Sequence, residues 1–368
     1  MQENNVPSAQ KAVVLLNFGG PRHLEEVADF LYEILRDPNV IQLPFPHWLQ
    51  NRFARKISKK RAVEVAEQYQ QIGGKSPIVE ATEQQRAQLE KILQKQKGGC
   101  KIYVAHRYLA GNAESVVKQI IEDQIEQLYA IPMYPHFSYA TTGSSLEQLD
   151  GLLKKQGYAC TIQVLRSYPN HPYYIEALSD LLKKELSQHT LVPQETLILC
   201  SAHGLPQSYV DKGDPYLMEL WSTVESLRKQ FPEWKFQLCF QSRVGPAKWL
   251  QPYTDELLPE LAKQGVRSVL FVALSFVNDH LETLFEIDHT YFELARSEGL
   301  TPYRVPAVET HPRFIELLGE QTLLWNQGLQ GMDLPLLLPP SQHFRRSSQW
   351  ILYSWCLALL IALFYAIV

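Results

Sequence analysis

The sequence predicts an α/β protein of two similar Rossmann-like halves with parallel sheets, followed by a C-terminal transmembrane helix. Three observations support this fold class. Short apolar runs alternate with longer segments of helical periodicity, a pattern typical of parallel strands joined by crossover helices. Segments at the predicted strand ends of the first half return in the second half. The last nineteen residues contain no charge, glycine or proline.

Four strands are predicted in each half, separated by helices. The strands are expected at 12–17, 101–107, 127–134 and 161–165, and then at 196–201, 235–240, 268–274 and 302–305. The helices are expected at 24–35, 63–71, 82–95, 115–126, 145–156, 173–188, 215–230 and 252–264.

The internal duplication defines the predicted domains. LLNFGGP (15–21) and LCSAHGLP (199–206) both close an apolar run with a glycine-containing turn and a proline. KIYVAHRY (101–108) is paired with KFQLCFQSR (235–243), and AIPMYPHFS (130–138) with FVALSFVND (271–279). We therefore predict a first half at 1–185, a second at 186–346 and a tail at 347–368. Ligands of open α/β sheets bind at the carboxyl ends of strands, so the matching loops should line one cleft.

The composition excludes several classes of protein. With 45% hydrophobic and 20% charged residues in 368, the chain is not predominantly disordered. A net charge of −4 makes nucleic acid an unexpected partner. The five cysteines form no C-x-x-C pair, which favours a reducing compartment over a disulfide framework or a zinc ribbon. The sequence also lacks both G-x-G-x-x-G and the P-loop pattern, so dinucleotide or nucleotide chemistry loses support.

The segment 350–368 has the length and composition of a membrane span. A helix of nineteen residues is about 28 Å long, close to the roughly 30 Å hydrocarbon core of a bilayer. Arg345 and Arg346 precede it, and the N-terminus lacks the character of a signal peptide. We expect a cytoplasmic catalytic domain that this helix anchors to the cytoplasmic face of the inner membrane. The alternative is a buried C-terminal helix of the globular part.

Two segments of the second half carry candidate chemistry. His203 directly follows a predicted buried strand, so its ring should point beyond the sheet edge, although a helix-capping histidine has the same pattern. If a helix begins near Asp279, Glu282 and Glu286 lie on one face at i,i+4. Such a row of carboxylates could pass protons or a divalent cation along a channel. The alternative for Glu282 is a capping box with Asp279 as N-cap.

Seven motifs together resemble the ferrochelatase family. They are LLNFGGP (15–21), EQYQQIGGKSPI (67–78), HRY (106–108), YPHFSYATTGSS (134–145), SAHGLPQSYVDKGDPY (201–216), FQSRVGPAKWLQPYTDE (240–256) and SFVNDHLETLFEID (275–288). The resemblance implies a chelatase-like fold and a lyase of haem synthesis. This enzyme would insert Fe²⁺ into protoporphyrin IX and release two pyrrole protons.

The resemblance also implies the site residues. His203, Glu282 and Glu286 would be catalytic, and His203 and Glu282 would meet the metal. Porphyrin-binding positions would be Phe18, Arg61, Tyr69, Ser76, Arg107, Tyr108, Trp249 and Phe276. A neutral histidine can accept a proton near pH 7 and a neighbouring glutamate can relay one. Whether His203 accepts the proton or first ligates the iron stays open.

Departures from the family pattern refine these expectations. Tyr139 stands where cluster-bearing members have a cysteine and the C-terminal cysteine trio is missing, so we expect no iron–sulfur cluster and no tightly bound cofactor. Phe18 stands where coproporphyrin-type members carry a tyrosine, which favours protoporphyrin IX. The alternatives are a chelatase of coproporphyrin or another tetrapyrrole, and a non-catalytic porphyrin-binding protein.

The segment 43–60 is a predicted membrane-contacting lip at the cleft mouth. An apolar stretch around Phe45 and Trp48 is followed by basic residues at 52, 55, 56, 59 and 60. Apolar residues beside basic ones are typical of surfaces that meet anionic lipid headgroups. The alternative is a proline-rich loop whose Trp48 packs on the core.

Overall fold

The computed structural model describes residues 10–41, 46–96, 99–245, 247–329 and 331–333. The strands are β1 (Lys11–Asn17), β2 (Lys101–His106), β3 (Gln127–Pro132), β4 (Thr161–Val164), β5 (Thr196–His203), β6 (Lys235–Gln241), β7 (Ser268–Ala273), β8 (Thr301–Val305) and β9 (Met332–Asp333). The α-helices are α1 (Val27–Leu35), α2 (His47–Gln71), α3 (Ile78–Lys95), α4 (Asn112–Glu122), α5 (Ser144–Lys155), α6 (Pro172–Gln188), α7 (Gln207–Asp211), α8 (Tyr216–Gln230), α9 (Thr254–Lys263), α10 (Phe292–Ser297) and α11 (Pro312–Asn326). Two π-helical segments, Tyr139–Gly143 and Glu282–Tyr291, follow the third strand of each half.

The two halves have the same sheet topology. The first sheet has the order β2-β1-β3-β4-β9 and the second has the order β6-β5-β7-β8. All pairs are parallel except β4 with β9. The eight predicted strands are therefore confirmed, with ends that shift by one or two residues. The sequence did not predict β9, because a two-residue strand has no periodicity.

Burial on both faces explains why the central strands are continuous apolar runs. Six of the seven residues of β1 and seven of the eight residues of β5 are buried, as expected for parallel strands covered by helices on both sides. One apolar core extends across both sheets and includes Val13, Leu15, Ile198 and Leu270. The halves therefore share a core.

The last helix of each half begins with the same local signal. His171-Pro172 starts α6 and His311-Pro312 starts α11, and each histidine Nδ1 accepts the backbone N–H two residues later. The proline suits the first helical turn, because its missing N–H would have no partner there.

The chain returns to the first half after β8. Helix α11, which was not predicted, packs on α3 and α6. Trp325 of α11 stacks on Tyr129 of β3 with ring centroids 5.2 Å apart, and its indole N–H donates to Gln163. The segment that follows pairs through β9 with β4. Helix α11 and strand β9 thus pack against the first half, although the predicted boundary assigned both to the second half.

Helix α2 is much longer than predicted and packs at the mouth between the halves. Val65 and Tyr69 of α2 form a small apolar cluster with Val27 of α1, and Leu281 packs against this cluster. Leu281 directly precedes the second π-helical segment, so α1 and α2 cover the carboxyl ends of the second sheet.

The predicted transmembrane helix lies outside the described residues. Within the part of the chain that the structure describes, no helix is both long and apolar enough to cross a bilayer.

Candidate active site

The site is built on His203, the last residue of β5. Its Nδ1 lies 2.9 Å from Oε2 of Glu282, and its backbone N–H donates to Oγ of Ser275 at 2.6 Å. The His203 side chain is 40% exposed, whereas that of Glu282 is 21% exposed. With Nδ1 engaged by the carboxylate, Nε2 is the ring nitrogen that a ligand in the cleft can use.

Gly204 allows close packing directly behind the histidine. A Cβ atom at this position would lie 2.8 Å from the carbonyl oxygen of Gln241 and 3.1 Å from the indole of Trp249. The backbone N–H of Gly204 donates to that same carbonyl at 2.8 Å. A side chain at residue 204 would therefore displace the strand end that carries His203.

The capping box that was the alternative for Glu282 does not form. Arg304 of β8 binds Asp279 at 2.8 Å and Asp288 at 2.7 Å, which removes Asp279 from the helix end. The backbone N–H of His280 instead donates to Oγ1 of Thr283 at 3.0 Å. The helical segment begins at Glu282 itself, and this carboxylate is free to pair with His203. A long-range ion pair thus prevails over the local capping signal.

The His203–Glu282 contact is an electrostatically coupled pair. Burial disfavours the charged imidazole, but attraction to Glu282 and the hydrogen bond to it outweigh burial and raise the pKa of His203 above its usual range. Burial likewise favours the neutral acid at Glu282, yet His203 and His280 hold the pKa of that carboxyl well below its usual range. Nε2 of His280 lies 3.7 Å from the same carboxylate. Glu282 is therefore ionised and stabilises a proton on His203.

Glu286 lies one turn further along the π-helical segment and is saturated with hydrogen bonds. It accepts from the Ser242 backbone N–H at 2.8 Å, from Gln241 Nε2 at 3.0 Å and from the Tyr291 hydroxyl at 3.0 Å, and also from the Ser242 hydroxyl. Burial and the charge of Glu282 nevertheless raise the pKa of Glu286. Ser242 adopts a φ of +63°, a left-handed conformation that costs a non-glycine residue about 1–3 kcal/mol. That conformation aims its N–H at Glu286.

The aromatic wall of the site joins the two halves. Phe18 and His203 occupy corresponding positions in the two halves. Phe18 directly follows β1, His203 is the last residue of β5, and a glycine comes after each of them. The Phe18 ring contacts Tyr108 at 4.6 Å and Phe276 at 5.8 Å, both edge-on. Phe276 is buried and lies 4.3 Å from the ring of His280. Residues from both halves thus meet at the carboxyl ends of the strands.

The other predicted porphyrin-binding residues occupy different environments. Tyr69 and Ser76 are buried, Arg61 lies on the exposed face of α2, and Trp249 is half-buried beside Gly204. Burial raises the pKa of Tyr69 and the charge of Glu282 raises it further. Leu281, which precedes Glu282, packs against the apolar cluster that contains Tyr69.

Arg107 and Tyr108 are held by a buried carboxylate that sequence reasoning missed. Asp37 is fully buried and accepts from Arg107 Nη2 at 2.7 Å, the Tyr108 hydroxyl at 2.7 Å and Ser144 Oγ at 2.5 Å. Arg107 is 13% exposed and Tyr108 is buried.

The cavity beside the His203–Glu282 pair is small. A cavity of about 10 Å³ adjoins His203 and Glu282, enough for one water molecule. It is lined by Ser201, His203, Gln241, Ala273, Ser275, Phe276, His280, Glu282 and Thr283.

Sequence reasoning missed three further polar residues of the site: His280, Gln241 and Ser275. His280 lies two residues before Glu282, so its proximity in the chain was a usable signal. Gln241 is the last residue of β6, and Ser275 follows the end of β7 by two residues. Both strands flank β5, and only this sheet order brings the two side chains together. Among the described residues, no group of three or more histidine, cysteine or acidic side chains forms a metal cluster.

The chain is similar to known chelatases in sequence and in fold. A family model described as Ferrochelatase matches residues 10–323. Ferrochelatase of Geobacter metallireducens is 42% identical over 315 residues, which cover 85% of this chain and 98% of that protein. Ferrochelatase of Gloeothece citriformis is 42% identical over 313 residues, which cover 84% of this chain and 80% of that protein. The structure of SirB from Bacillus subtilis with Fe³⁺ is similar in fold, with a TM-score of 0.50 at 10% identity over 87% of this chain and 98% of that one.

Proposed function

The chain belongs to the ferrochelatase family, and from this premise we propose how its residues insert Fe²⁺ into a porphyrin. The enzyme is a lyase of haem synthesis, and the metal ion is its substrate. The observation that carries the mechanism is the 2.9 Å contact between His203 Nδ1 and Glu282 Oε2 at the carboxyl end of β5. Protoporphyrin IX is the proposed macrocycle, since Phe18 replaces the tyrosine of coproporphyrin-type members.

His203 accepts the two pyrrole protons one at a time, and each proton leaves the 40% exposed imidazole for solvent before the next is transferred. Its Nδ1–H donates to Glu282, which selects the tautomer with a free lone pair on Nε2. When Nε2 takes a proton from a pyrrole N–H, the Glu282 carboxylate stabilises the imidazolium that forms. The same arrangement, a carboxylate that orients and charges a histidine base, operates in hydrolytic triads.

Glu282 and Glu286 form the acidic side of the metal path. Both carboxylates lie on one face of the π-helical segment, 79 and 83 positions after His203 in the chain. While it is still unprotonated, Nε2 of His203 together with one carboxylate suits a transient Fe²⁺ site, because a stronger donor set would retain the metal. We propose no iron–sulfur cluster and no tightly bound cofactor.

An insertion assay tests this proposal directly. The assay measures the loss of free-porphyrin fluorescence when Zn²⁺ or Fe²⁺ is added, in parallel with protoporphyrin IX and with coproporphyrin. It distinguishes the two chelatase activities from each other and from a protein that only binds porphyrin. Insertion into protoporphyrin IX is the expected outcome. Preference for coproporphyrin would overturn the substrate assignment. Binding of porphyrin with no insertion would indicate a carrier protein.

Glu282→Gln is expected to slow insertion at least about tenfold, a cautious floor for a positioned acid or base. The variant keeps the side-chain shape and removes the charge that raises the pKa of His203. Because a base acts only when neutral, the wild-type rate should rise with pH through that raised pKa. In Glu282→Gln this acidic limb should move to lower pH, as measured by kcat between pH 5 and 9. If the variant were as stable as the wild type and the acidic limb of its pH–rate profile did not move, the proposed pairing of Glu282 with His203 would be contradicted.

We further propose that the C-terminal segment anchors the enzyme to the cytoplasmic face of the inner membrane. The support is the uncharged run 350–368 and the arginines at 345 and 346 before it. A porphyrin is large, flat and apolar, so tethering to the bilayer raises its effective concentration at the enzyme.

Deletion of residues 347–368 is expected to move the protein from the membrane to the soluble fraction. Turnover of detergent-dispersed porphyrin should remain nearly intact, because every motif of the site ends before residue 345. Turnover of porphyrin presented in vesicles should fall. A truncated protein that unfolds would show that the segment is part of the core.

The lip at 43–60 is a second proposed lipid contact. In support of this proposal, Trp48 is 65% exposed at the start of α2 and does not pack on the core. Arg52, Arg55, Lys56, Lys59 and Lys60 are also exposed on this helix. Positions 42–45 lie outside the described residues.

Trp48→Ser in the tail-deleted protein is expected to weaken binding to anionic vesicles, measured by co-sedimentation. Burial of an indole contributes apolar transfer energy that serine cannot replace. Val192→Ser, an exposed apolar residue remote from α2 in the chain, is the matched control. Equal binding by both variants would mean that the lip does not contact lipid.

A further inference from the structure

The backbone of His203 is held on both sides by two hydroxyl groups. Its N–H donates to Oγ of Ser275 at 2.6 Å, and its carbonyl oxygen accepts from the Tyr216 hydroxyl at 3.1 Å. The two hydroxyls themselves lie 2.7 Å apart. One assignment satisfies all three contacts: Ser275 donates to Tyr216, and Tyr216 donates to His203. We propose that Tyr216 and Ser275 form a positioning clamp for His203 in metal insertion, an inference that rests on the proposed function.

The clamp replaces hydrogen bonds that the sheet itself no longer supplies. The pairing of β5 with β7 ends at Ser201 and Ala273. The last backbone hydrogen bond on this side is donated by Leu274 N–H to the Ser201 carbonyl oxygen. On the other side, the pairing of β5 with β6 continues to His203 and Gln241. His203 therefore extends beyond its β7 neighbour, and the Ser275 side chain takes the place of a backbone acceptor.

Tyr216 is itself fixed by a buried carboxylate that reaches the first half. Its backbone N–H donates to Asp214 Oδ1 at 3.0 Å. The other oxygen of Asp214 accepts from the Ser138 hydroxyl and from the Tyr139 N–H, both at 2.9 Å. Asp214 is 3% exposed. The clamp thus ties the loop after β3 of the first half to the histidine of the second.

Neither hydroxyl is required to touch porphyrin, so the effect of removing one is geometric. Without the clamp, the end of β5 is held on one side only, and Nε2 of His203 would sample positions away from the pyrrole nitrogens. Displacement of a reacting group by about 1 Å can cost about 10²-fold in rate. For loss of one hydroxyl we expect about a tenfold fall in kcat, with KM for porphyrin unchanged within about twofold.

The test uses Zn²⁺ insertion into protoporphyrin IX by the full-length enzyme. Tyr216→Phe and Ser275→Ala are compared alone and together, and Ser275→Thr restores the hydroxyl. Tyr168→Phe is the matched control, because that tyrosine is equally buried and its hydroxyl donates to the Pro132 carbonyl at 3.1 Å. Each protein is also unfolded thermally, which separates lost folding from lost turnover.

The clamp predicts that either single variant lowers kcat about tenfold, that the double variant is little worse than the singles, and that Ser275→Thr retains most activity. A Tyr216→Phe enzyme no slower than Tyr168→Phe would overturn the clamp. So would a rise in KM with kcat unchanged, since that pattern indicates a porphyrin contact. An active wild type with unaffected variants disproves only the clamp, whereas a wild type that inserts no metal overturns the proposed function as well.

Discussion

His203→Ala is expected to lower the rate of metal insertion by about 10²–10⁴-fold, the range for loss of a positioned general base. The imidazole is the only group on the β5 end that pairs with Glu282 among the described residues, and it is 40% exposed to the cleft. Without the imidazole, Glu282 has no base to orient at the end of β5. Porphyrin binding should persist, because the aromatic wall of Phe18 and Phe276 is untouched.

Two measurements check this result. Initial rates of Fe²⁺ and Zn²⁺ insertion report turnover, and quenching of protein fluorescence by protoporphyrin reports binding. His189→Ala is the matched control, since that histidine also pairs with a glutamate, Glu185, but on the outer helix α6. If His203→Ala turned over as fast as His189→Ala, the base would have to be sought elsewhere, and His280 beside Glu282 would be the next candidate.

The strands were predictable because burial on both faces leaves a strong signal in the sequence. The signal is strongest in β1 and β5, apolar runs that the structure places inside their sheets with a parallel strand on each side. Helix α2 was half missed, because basic residues interrupt its N-terminal part and leave no apolar stripe. Helix α11 was missed although it starts with the same His-Pro signal as α6. This helix packs against elements of the first half because the chain returns there after β8. Local periodicity does not encode such a long-range contact.

The sequence indicated candidate residues for the site but not the contacts between them. His203 and Glu282 were identifiable as side chains at neighbouring strand ends, but 79 residues separate them, and only the sheet order β6-β5-β7-β8 makes them meet. The local capping rule failed at Asp279 because Arg304, from a different strand, provides a stronger partner. Asp37 follows α1 in an ordinary sequence context, so nothing local indicated that it would hold Arg107 and Tyr108.

Asp37→Ala is expected to lower the free energy of unfolding by about 3–5 kcal/mol, the cost of breaking a buried ion pair. The carboxylate is fully buried, and its loss leaves the Arg107 guanidinium, which is 13% exposed, without its charged partner. The hydroxyls of Tyr108 and Ser144 lose the same acceptor. One substitution thus removes an acceptor from three donors, although Arg107 Nε still donates to Ser144 at 2.7 Å.

Denaturant titration of Asp37→Ala and of Asp150→Ala measures the difference. Asp150 pairs with Lys154 at 2.7 Å on the surface of α5, with side-chain exposures of 31% and 74%. Loss of that helix pair should cost no more than about 0.5 kcal/mol, since exposed ion pairs contribute little. Asp37→Asn keeps one acceptor oxygen and should lie between the two. Equal stability of the Asp37 and Asp150 variants would mean that Arg107 reaches solvent when it loses Asp37. In that case the guanidinium is mobile enough to turn towards a porphyrin carboxylate. A large loss of stability in Asp37→Ala would instead show that Arg107 has a structural role and supports the cleft.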